Sequence, residues 1–186
     1  LKRIREAFVH RLQIEPLIVN VDMGIGIKIL YENPKELGID RVVNAVGGYE
    51  EHGGPLLIID FGTATTYDVV DENGNFLGGA IAPGIGICIN ALSEKAPALP
   101  KVDIAIPEKA IGRNTISNMQ SGFYYGFLGQ TEELIRRIKL ELPKEPKVIA
   151  TGGLAKTIAV NSKLINLVEP ELTIKGLRVI YSRLRK

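Results

Sequence analysis

Three strand-like runs lie close together between residues 55 and 81, and they constrain the fold more than any other part of the chain. Residues 55–60 (PLLIID) form a compact apolar run that ends on a carboxylate, and TYDVV at 66–70 and FLGGAI at 76–81 follow it. Between the last two runs, DENGN at 71–75 is a strong hairpin turn. This order predicts three consecutive antiparallel strands.

The rest of the chain shows further helical and strand patterns. Residues 1–12 are predicted as a charged amphipathic helix, residues 17–21 and 26–31 as strands, and a helical pattern begins at Lys35. Later elements are helices at about 84–95, 115–141, 154–160 and 174–184, and a strand at 147–150. Strands precede helices in blocks, without the strict alternation of a doubly wound fold. The sequence therefore predicts an α/β protein with a mixed sheet flanked by helices.

Composition excludes several classes of function. The net charge is +2 from 23 basic and 21 acidic residues, which requires no polyanionic partner, so we expect no binding to nucleic acid. The lone Cys88 cannot form an internal disulfide, which favours a reducing, cytoplasmic setting. Apolar runs fall short of the ~20 residues that a membrane helix needs, so no membrane association is predicted.

The segment DFGTATT at 60–66 is the first candidate for chemistry. A carboxylate at a strand end can hold a cation, while Gly62 and the following backbone N–H groups and hydroxyls can bind phosphate. The alternative is an ordinary hairpin whose threonines only favour strand and turn. From this segment alone, both interpretations stay open.

The segment ATGGLA at 150–155 is the second candidate, because it leads from a predicted strand into a predicted helix. Gly152 and Gly153 leave backbone room for a flat ligand or for an anion at a helix N-terminus. A simple strand-to-helix turn is the alternative. The sequence contains no Walker A motif, and no G-x-G-x-x-G follows a strand.

Taken in order, these motifs resemble the actin-like (ribonuclease H-like) kinases, in which a D-G-T hairpin grips phosphates and a later Gly-Gly turn holds adenosine. The resemblance narrows to type III pantothenate kinases. It rests on LGIDRVVNA at 37–45, DFGTATT, LGGAIAPG at 77–84, GRNT at 112–115, SGFYYG at 121–126, ATGGLA and LTIKGL at 172–177. It covers essentially the whole chain, in the family's order.

The resemblance implies a function and a set of site residues. It implies transfer of the ATP γ-phosphate to the hydroxyl of pantothenate, the first step of coenzyme A biosynthesis, with Mg-ATP as co-substrate and potassium or ammonium as activating cation. Asp40 would accept the hydroxyl proton, although a helix N-cap is the structural alternative for this residue. The other implied residues are Tyr31, Gly38, Ile39, Arg41 and Thr115 for pantothenate, Gly62, Thr63, Gly152 and Gly153 for ATP, and Asp60 for the cation.

The resemblance also implies an arrangement of subdomains. Residues 1–50 would be the remainder of a first actin-like subdomain with the substrate and base motif, and residues 51–186 a second with the phosphate hairpin and adenosine motif. The family's first phosphate motif, D-x-G-N-T-N, does not occur in this sequence. We therefore expect the N-terminal part of the first subdomain to be missing. Alternatives are a non-catalytic accessory or regulatory relative and another actin-fold small-molecule kinase.

The resemblance also implies a homodimer with a shared active site, and the pattern of the predicted long helix agrees with this. Its apolar and aromatic residues cover more than the single stripe that packing on its own core requires. They are Ile116, Met119, Phe123, Tyr124, Tyr125, Phe127 and Leu128. A symmetric dimer would bury the surplus and could bring Thr115 to the other subunit's site.

The two histidines are not predicted to bind metal. His10 and His52 have no second ligand at metal spacing, so both are interpreted as surface residues.

Overall fold

The structure is a computed structural model that describes residues 2–185. Leu1 and Lys186, at the ends of the predicted first helix and the basic C-terminus, lie outside the described residues. The helices are α1 (Lys2–Leu12), α2 (Ile39–His52), α3 (Ile85–Lys95), α4 (Thr115–Glu141), α5 (Ala155–Ala159) and α6 (Leu172–Leu184). The strands are β1 (Leu56–Phe61), β2 (Ala64–Val70), β3 (Phe76–Pro83), β4 (Lys147–Thr151) and β5 (Leu167–Val168).

The five strands form one mixed sheet in the order β3-β2-β1-β4-β5. β1 pairs antiparallel with β2, so that Asp60 lies opposite Thr66, and parallel with β4, so that Asp60 lies opposite Thr151. β3 pairs antiparallel with β2. The three predicted antiparallel strands and the predicted mixed sheet are therefore confirmed. The parallel β1–β4 pair places the C-terminal ends of both strands at one edge of the sheet.

Alternation of side chains along the strands gives the sheet two differently packed faces. On one face, α2 and α6 cover Leu56, Ile58 and Val70. On the other face, helices α3, α4 and α5 cover a cluster that includes Leu57, Ile59 and Tyr67 of β1 and β2. The site described below lies where the first of these faces reaches the C-terminal ends of β1 and β4.

Helices α2 and α6 cross closely because each has a glycine at the contact. A Cβ atom on Gly47 would lie 2.8 Å from the backbone nitrogen of Gly176 and 2.9 Å from the carbonyl oxygen of Leu172. A Cβ atom on Gly176 would overlap the carbonyl oxygen of Val43. The two backbones are therefore in direct contact, and side chains on facing turns come within hydrogen-bonding distance.

Three predictions for the N-terminal region are wrong. Residues 17–21 and 26–31 are not strands; the second segment makes one parallel bridge, Ile29 with Phe76, at the start of the edge strand β3. A strand needs a continuous neighbour to pair with, and neither segment has one among residues 2–185. The helix predicted from Lys35 begins at Ile39, because Pro34–Glu36 forms a separate 3-10 turn capped by Asn33. The short strand β5 was not predicted.

Helix α2 packs with α6 against the sheet, and its range spans the proposed subdomain boundary after residue 50. That division of the chain stays a prediction. None of the helices between Lys2 and Arg185 combines the length and the hydropathy that crossing a lipid bilayer requires.

Candidate active site

The turn between β1 and β2 forms the first wall of the candidate site. Gly62 and Thr63 are exposed there, directly after the buried end of β1. The backbone N–H of Gly84 donates to the carbonyl oxygen of Thr63 at 3.1 Å, which ties the turn to the N-terminus of α3. The turn is thus held in place by its neighbours while its outer surface is free to contact a ligand.

The turn after β4 lies directly against the end of β1. Gly152 has a positive φ of 89°, and a Cβ atom there would overlap Asp60 Oδ1 and lie 2.7 Å from the backbone nitrogen of Phe61. Only glycine fits this approach without strain. Gly153 beside it is exposed and has open space around its Cα. The two glycine-containing turns predicted from the sequence therefore meet at one edge.

Asp40 lies in the first turn of α2, and it is exposed whereas the eight residues that follow it are buried. The N-cap position belongs to Gly38, so Asp40 is not the N-cap of this helix. Its Oδ1 accepts the backbone N–H of Arg41 at 2.9 Å, and a Cβ atom on Gly38 would lie 2.6 Å from that oxygen. Glycine at position 38 gives the Asp40 carboxylate this room.

Arg41 points into the molecule and pairs with a buried carboxylate. Its Nε and Nη2 lie 2.7 and 2.6 Å from Asp68 Oδ1, and both residues are buried. Thr66 donates its hydroxyl to Asp68 Oδ2 at 3.0 Å, and the guanidinium lies 5.6 Å from the ring centre of Phe76. Burial raises the pKa of Asp68, while the hydrogen bonds and charge of Arg41 oppose this rise.

Asp60 is held by a chain of hydrogen bonds from α2 and α6. Asn44 Nδ2 donates to Asp60 Oδ2 at 3.0 Å, and the Thr173 hydroxyl donates to Asn44 Oδ1 at 2.7 Å. Burial raises the pKa of Asp60, the bond from Asn44 opposes the rise, and the negative charge of Asp40 adds to it. Asp40 lies one turn before Asn44 on α2, so this helix brings both carboxylates to the same edge of the sheet.

A mainly apolar groove of about 350 Å³ opens beside Asp40. It is bounded by α1, by residues 16–19 after α1, and by the facing sides of α2 and α6. Ile39, Val43 and Leu177 supply hydrocarbon, and Asp40 and Thr173 are among the polar residues of the lining. A small ligand with both apolar and polar parts matches this lining.

The structure brings most of the predicted site residues together, with two exceptions. Asp60, Gly62, Thr63 and Gly152 share the edge where β1 and β4 end, and Gly153 follows directly. Gly38, Ile39, Asp40 and Arg41 form the adjoining start of α2. Tyr31 lies in a separate surface pocket, with its ring 6.4 Å from that of Phe76. Thr115 begins α4, which packs on the opposite face of the sheet.

Three residues at this site had no predicted role: Asn44, Asp68 and Thr173. Asn44 follows Asp40 by one helical turn. Asp68 lies two residues after Thr66 on β2, so the two side chains share one face of the sheet, and Thr66 is the residue paired with Asp60. Those spacings could have identified both. Thr173 is 129 residues from Asn44 in the chain, and no local pattern connects them.

The prediction that His52 is isolated is wrong. Its Nε2 lies 3.9 Å from Glu169 Oε1, and Glu51 is close enough to complete a possible group of ligands. The ammonium of Lys175 already contacts both carboxylates, at 2.8 and 2.7 Å. Glu169 and Lys175 come from distant sequence, so spacing around His52 could not find them. His10 is exposed, as predicted.

Known structures with this fold include the following two proteins. A Campylobacter jejuni protein described as belonging to the Baf family of transcriptional activators is 20% identical, with a TM-score of 0.65 over 98% of this chain and 79% of its own. The activator of 2-hydroxyisocaproyl-CoA dehydratase from Clostridium difficile, solved with bound ADPNP, is 15% identical, with a TM-score of 0.51 over 78% of this chain and 67% of its own.

These similarities confirm the predicted actin-like fold class and, at such low identity, show the fold alone. The sequence itself gives the family, because the sequence model for type III pantothenate kinases matches residues 1–137. The motifs around Asp40 and Asp60 both lie within that match. The chain therefore belongs to the type III pantothenate kinase family.

Proposed function

We propose that this chain carries the acceptor and phosphate-binding parts of a pantothenate kinase, which transfers the γ-phosphoryl group of ATP to the pantothenate hydroxyl. The observation that carries the proposal is the convergence of Asp40 with the β1–β2 turn and the β4–α5 turn. Asp40 is exposed in the first turn of α2 and lies one helical turn before Asn44, whose amide donates to the half-buried Asp60 at the strand ends.

Asp40 is the proposed base. Its exposed carboxylate adjoins the apolar groove, where the hydrocarbon part of pantothenate would bind with its hydroxyl toward Asp40. A primary alcohol attacks phosphorus poorly by itself, and a carboxylate at hydrogen-bonding distance orients it and accepts its proton. The groove lining and the carboxylate thus perform separate tasks, binding and orientation.

The two turns are the proposed nucleotide site. Thr63 can donate its hydroxyl and backbone N–H to phosphate oxygens, and the N-terminus of α3, which favours negative charge, packs against the same turn. Gly152 and Gly153 leave the space for adenosine. The similar Clostridium difficile activator was solved with the nucleotide analogue ADPNP, which supports nucleotide binding by this fold.

Asp60 is the proposed ligand of the activating monovalent cation, and its surroundings fit that role. Its Oδ1, a carboxylate oxygen, accepts no hydrogen bond from residues 2–185 and faces Gly62 and Gly152 of the two turns. Hard cations prefer oxygen ligands of this type. The cation would neutralise part of the phosphate charge at this edge.

The test measures ATP-dependent phosphorylation of pantothenate by the complete product of the reading frame that encodes this chain. A panel of sugars and acetate serves as alternative acceptors. Asp40→Asn should lower kcat by roughly 10²–10⁴-fold while nucleotide binding changes little. Glu94→Gln, an exposed carboxylate on α3, is the matched control and should keep parental kcat. Unchanged kcat in Asp40→Asn would remove Asp40 from the mechanism.

Two other functions would give different results in the same assay. Turnover of a sugar or acetate without pantothenate would identify another actin-fold kinase. The printed description of the Campylobacter jejuni structure makes a regulatory, non-catalytic role the second alternative. That role predicts no acceptor turnover from any member of the panel and no effect of Asp40→Asn.

We further propose a homodimer in which Thr115 of one subunit completes the pantothenate site of the other. Within one chain, α4 lies across the sheet from Asp40, and Ile116 and Tyr125 on α4 remain exposed. Gly122, Gly126 and Gly129 on the helix have open space, which permits close approach of a second helix.

Mixing inactive Asp40→Asn and Thr115→Arg subunits should restore part of the activity. No restoration after proven subunit exchange would contradict the shared site.

A further inference from the structure

The hydrogen bonds around Asp60 make its two carboxylate oxygens unequal. Asn44 is 1% exposed, and its amide joins the Thr173 hydroxyl on α6 to Asp60 Oδ2 on β1. Oδ1 instead faces the two turns, since a Cβ atom on Gly62 would lie 3.5 Å from it and one on Gly152 would overlap it. One oxygen is thus bonded to protein and the other is directed to the proposed ligand edge.

The Asn44 amide is hydrogen-bonded at both ends, to Thr173 on α6 and to Asp60 on β1. The threonine hydroxyl donates its proton to the oxygen of the amide, and that oxygen is therefore directed to α6. The NH₂ group must then point to Asp60, where it donates to Oδ2. If the amide were reversed, its oxygen would face the Asp60 carboxylate, and two acceptors would repel each other. The Asp60 carboxylate, which can only accept, therefore determines which way the amide is turned, and the Thr173 hydroxyl holds the amide in that place from α6.

We propose that Asn44 and Thr173 are positioning residues that keep Asp60 Oδ1 directed at the monovalent cation. This inference rests on the proposed cation role of Asp60. Thr173 does not contact the cation; it acts through the Asn44 amide, which holds Oδ2 and leaves Oδ1 as the ligand. A purely structural role for the same bonds would affect folding without any effect specific to the cation.

The experiment uses three threonine variants that separate these roles. Thr173→Val removes the hydroxyl with little change in shape, and Thr173→Ser restores it. Thr131→Val is the matched control, because the Thr131 hydroxyl bonds to the Tyr67 hydroxyl at 3.1 Å in the core on the opposite face of the sheet. Each valine variant loses one hydrogen-bonded hydroxyl, half-buried at Thr173 and buried at Thr131, but only the Thr173 hydroxyl is linked through Asn44 to Asp60.

The readout is the thermal midpoint of the complete protein with Mg-ADPNP, as potassium replaces tetramethylammonium at constant ionic strength. A ligand that binds only the folded state raises this midpoint, and the rise grows with the logarithm of one plus the ligand concentration divided by its Kd. Thr173→Val should shift the curve of midpoint against potassium to roughly two- to tenfold higher concentrations, the effect of losing one hydrogen bond. Thr173→Ser and Thr131→Val should titrate like the parent, although Thr131→Val lowers the midpoint at every potassium concentration.

The outcomes distinguish this inference from the proposed function. If potassium stabilises the parent and Thr173→Val titrates identically, the positioning role is wrong while the cation role of Asp60 survives. If Thr131→Val and Thr173→Val weaken the potassium response equally, the effect is structural and the inference is again wrong. If potassium does not stabilise the parent over tetramethylammonium, the cation role fails and the inference fails with it.

Discussion

Across the central sheet, the face under α2 and α6 holds buried charge, whereas the face under α3, α4 and α5 is filled almost entirely by hydrocarbon. The first face contains Arg41, Asn44 and Asp68, each with a specific partner. On the second face, the Tyr67 hydroxyl pairs with Thr131, and Thr65 Oγ1 has no partner among residues 2–185.

This difference shows on which face of the sheet the protein buries polar and charged groups at a cost in stability. Charged groups under a sheet cost stability unless each is paired, and hydrocarbon would fill the same space at least as well. Asn44 bonds to Asp60 where β1 and β4 end, and the Arg41–Asp68 pair lies next to it under the same face, with Asp68 opposite Ile58 of β1. We interpret the apolar face as the source of stability and the polar face as the support of the site.

Removing one member of the buried ion pair should have the largest effect on folding. Arg41→Met leaves Asp68 buried without its cation, and should lower the free energy of unfolding by about 3–5 kcal/mol. Urea denaturation measures this difference. The double variant Arg41→Met/Asp68→Leu is the control and should recover much of the loss, because no charge remains buried. A loss below about 1 kcal/mol in the single variant would show that the pair is not needed for folding.

A cavity on the apolar face should cost slightly less and leave the site intact. Ile135 of α4 is fully buried in that cluster, so Ile135→Ala should lower the free energy of unfolding by about 2–5 kcal/mol. Ile135→Val, as control, should cost about 0.5–1.5 kcal/mol. The rise of the thermal midpoint with potassium should be the same in both variants as in the parent, although each variant starts from a lower midpoint. A specific change in that dependence would contradict the division between the two faces.

The smallest expected effect is a change in how stability depends on pH. Burial raises the pKa of Asp60 above its ordinary value of 3.8, so the folded state holds the proton more tightly than the unfolded state does. The Asp60 contribution to stability therefore falls as pH rises from about 3.8 through the raised pKa. Asp60→Asn removes this dependence and can keep the bond from Asn44.

Thermal midpoints between pH 3.5 and 7, without potassium, compare the parent with Asp60→Asn. The parent should lose stability relative to the variant as pH rises, and Asp68, which stays in both proteins, cancels in the difference. Asp40 and Asn44 are the groups facing Asp60, so Asp40→Asn should reduce the slope by a smaller amount. Parallel curves for parent and Asp60→Asn would contradict the raised pKa.

How much the sequence could predict depended on how local the contacts are. The β1–β2–β3 hairpins pair neighbouring segments, and a strand-end carboxylate beside a glycine turn is visible in the sequence itself. The extended segments at 17–21 and 26–31 have strand-like composition, but a strand also needs a paired neighbour. β5 has two residues, too few for any periodic signal. The Asn44–Thr173 bond depends on how two distant helices cross, which local patterns do not contain.

Because α2 and α6 are in backbone contact at their glycines, the residue spacing along α6 determines where its side chains lie relative to the site. Thr173 precedes Gly176 by three residues, and Gly176 is fixed against the backbone of Val43. An insertion of one residue between them would turn Thr173 by about 100° around the helix axis, away from Asn44. Spacing along this short segment of α6 is therefore as much a determinant of the Asp60 geometry as the identity of any side chain in contact with it.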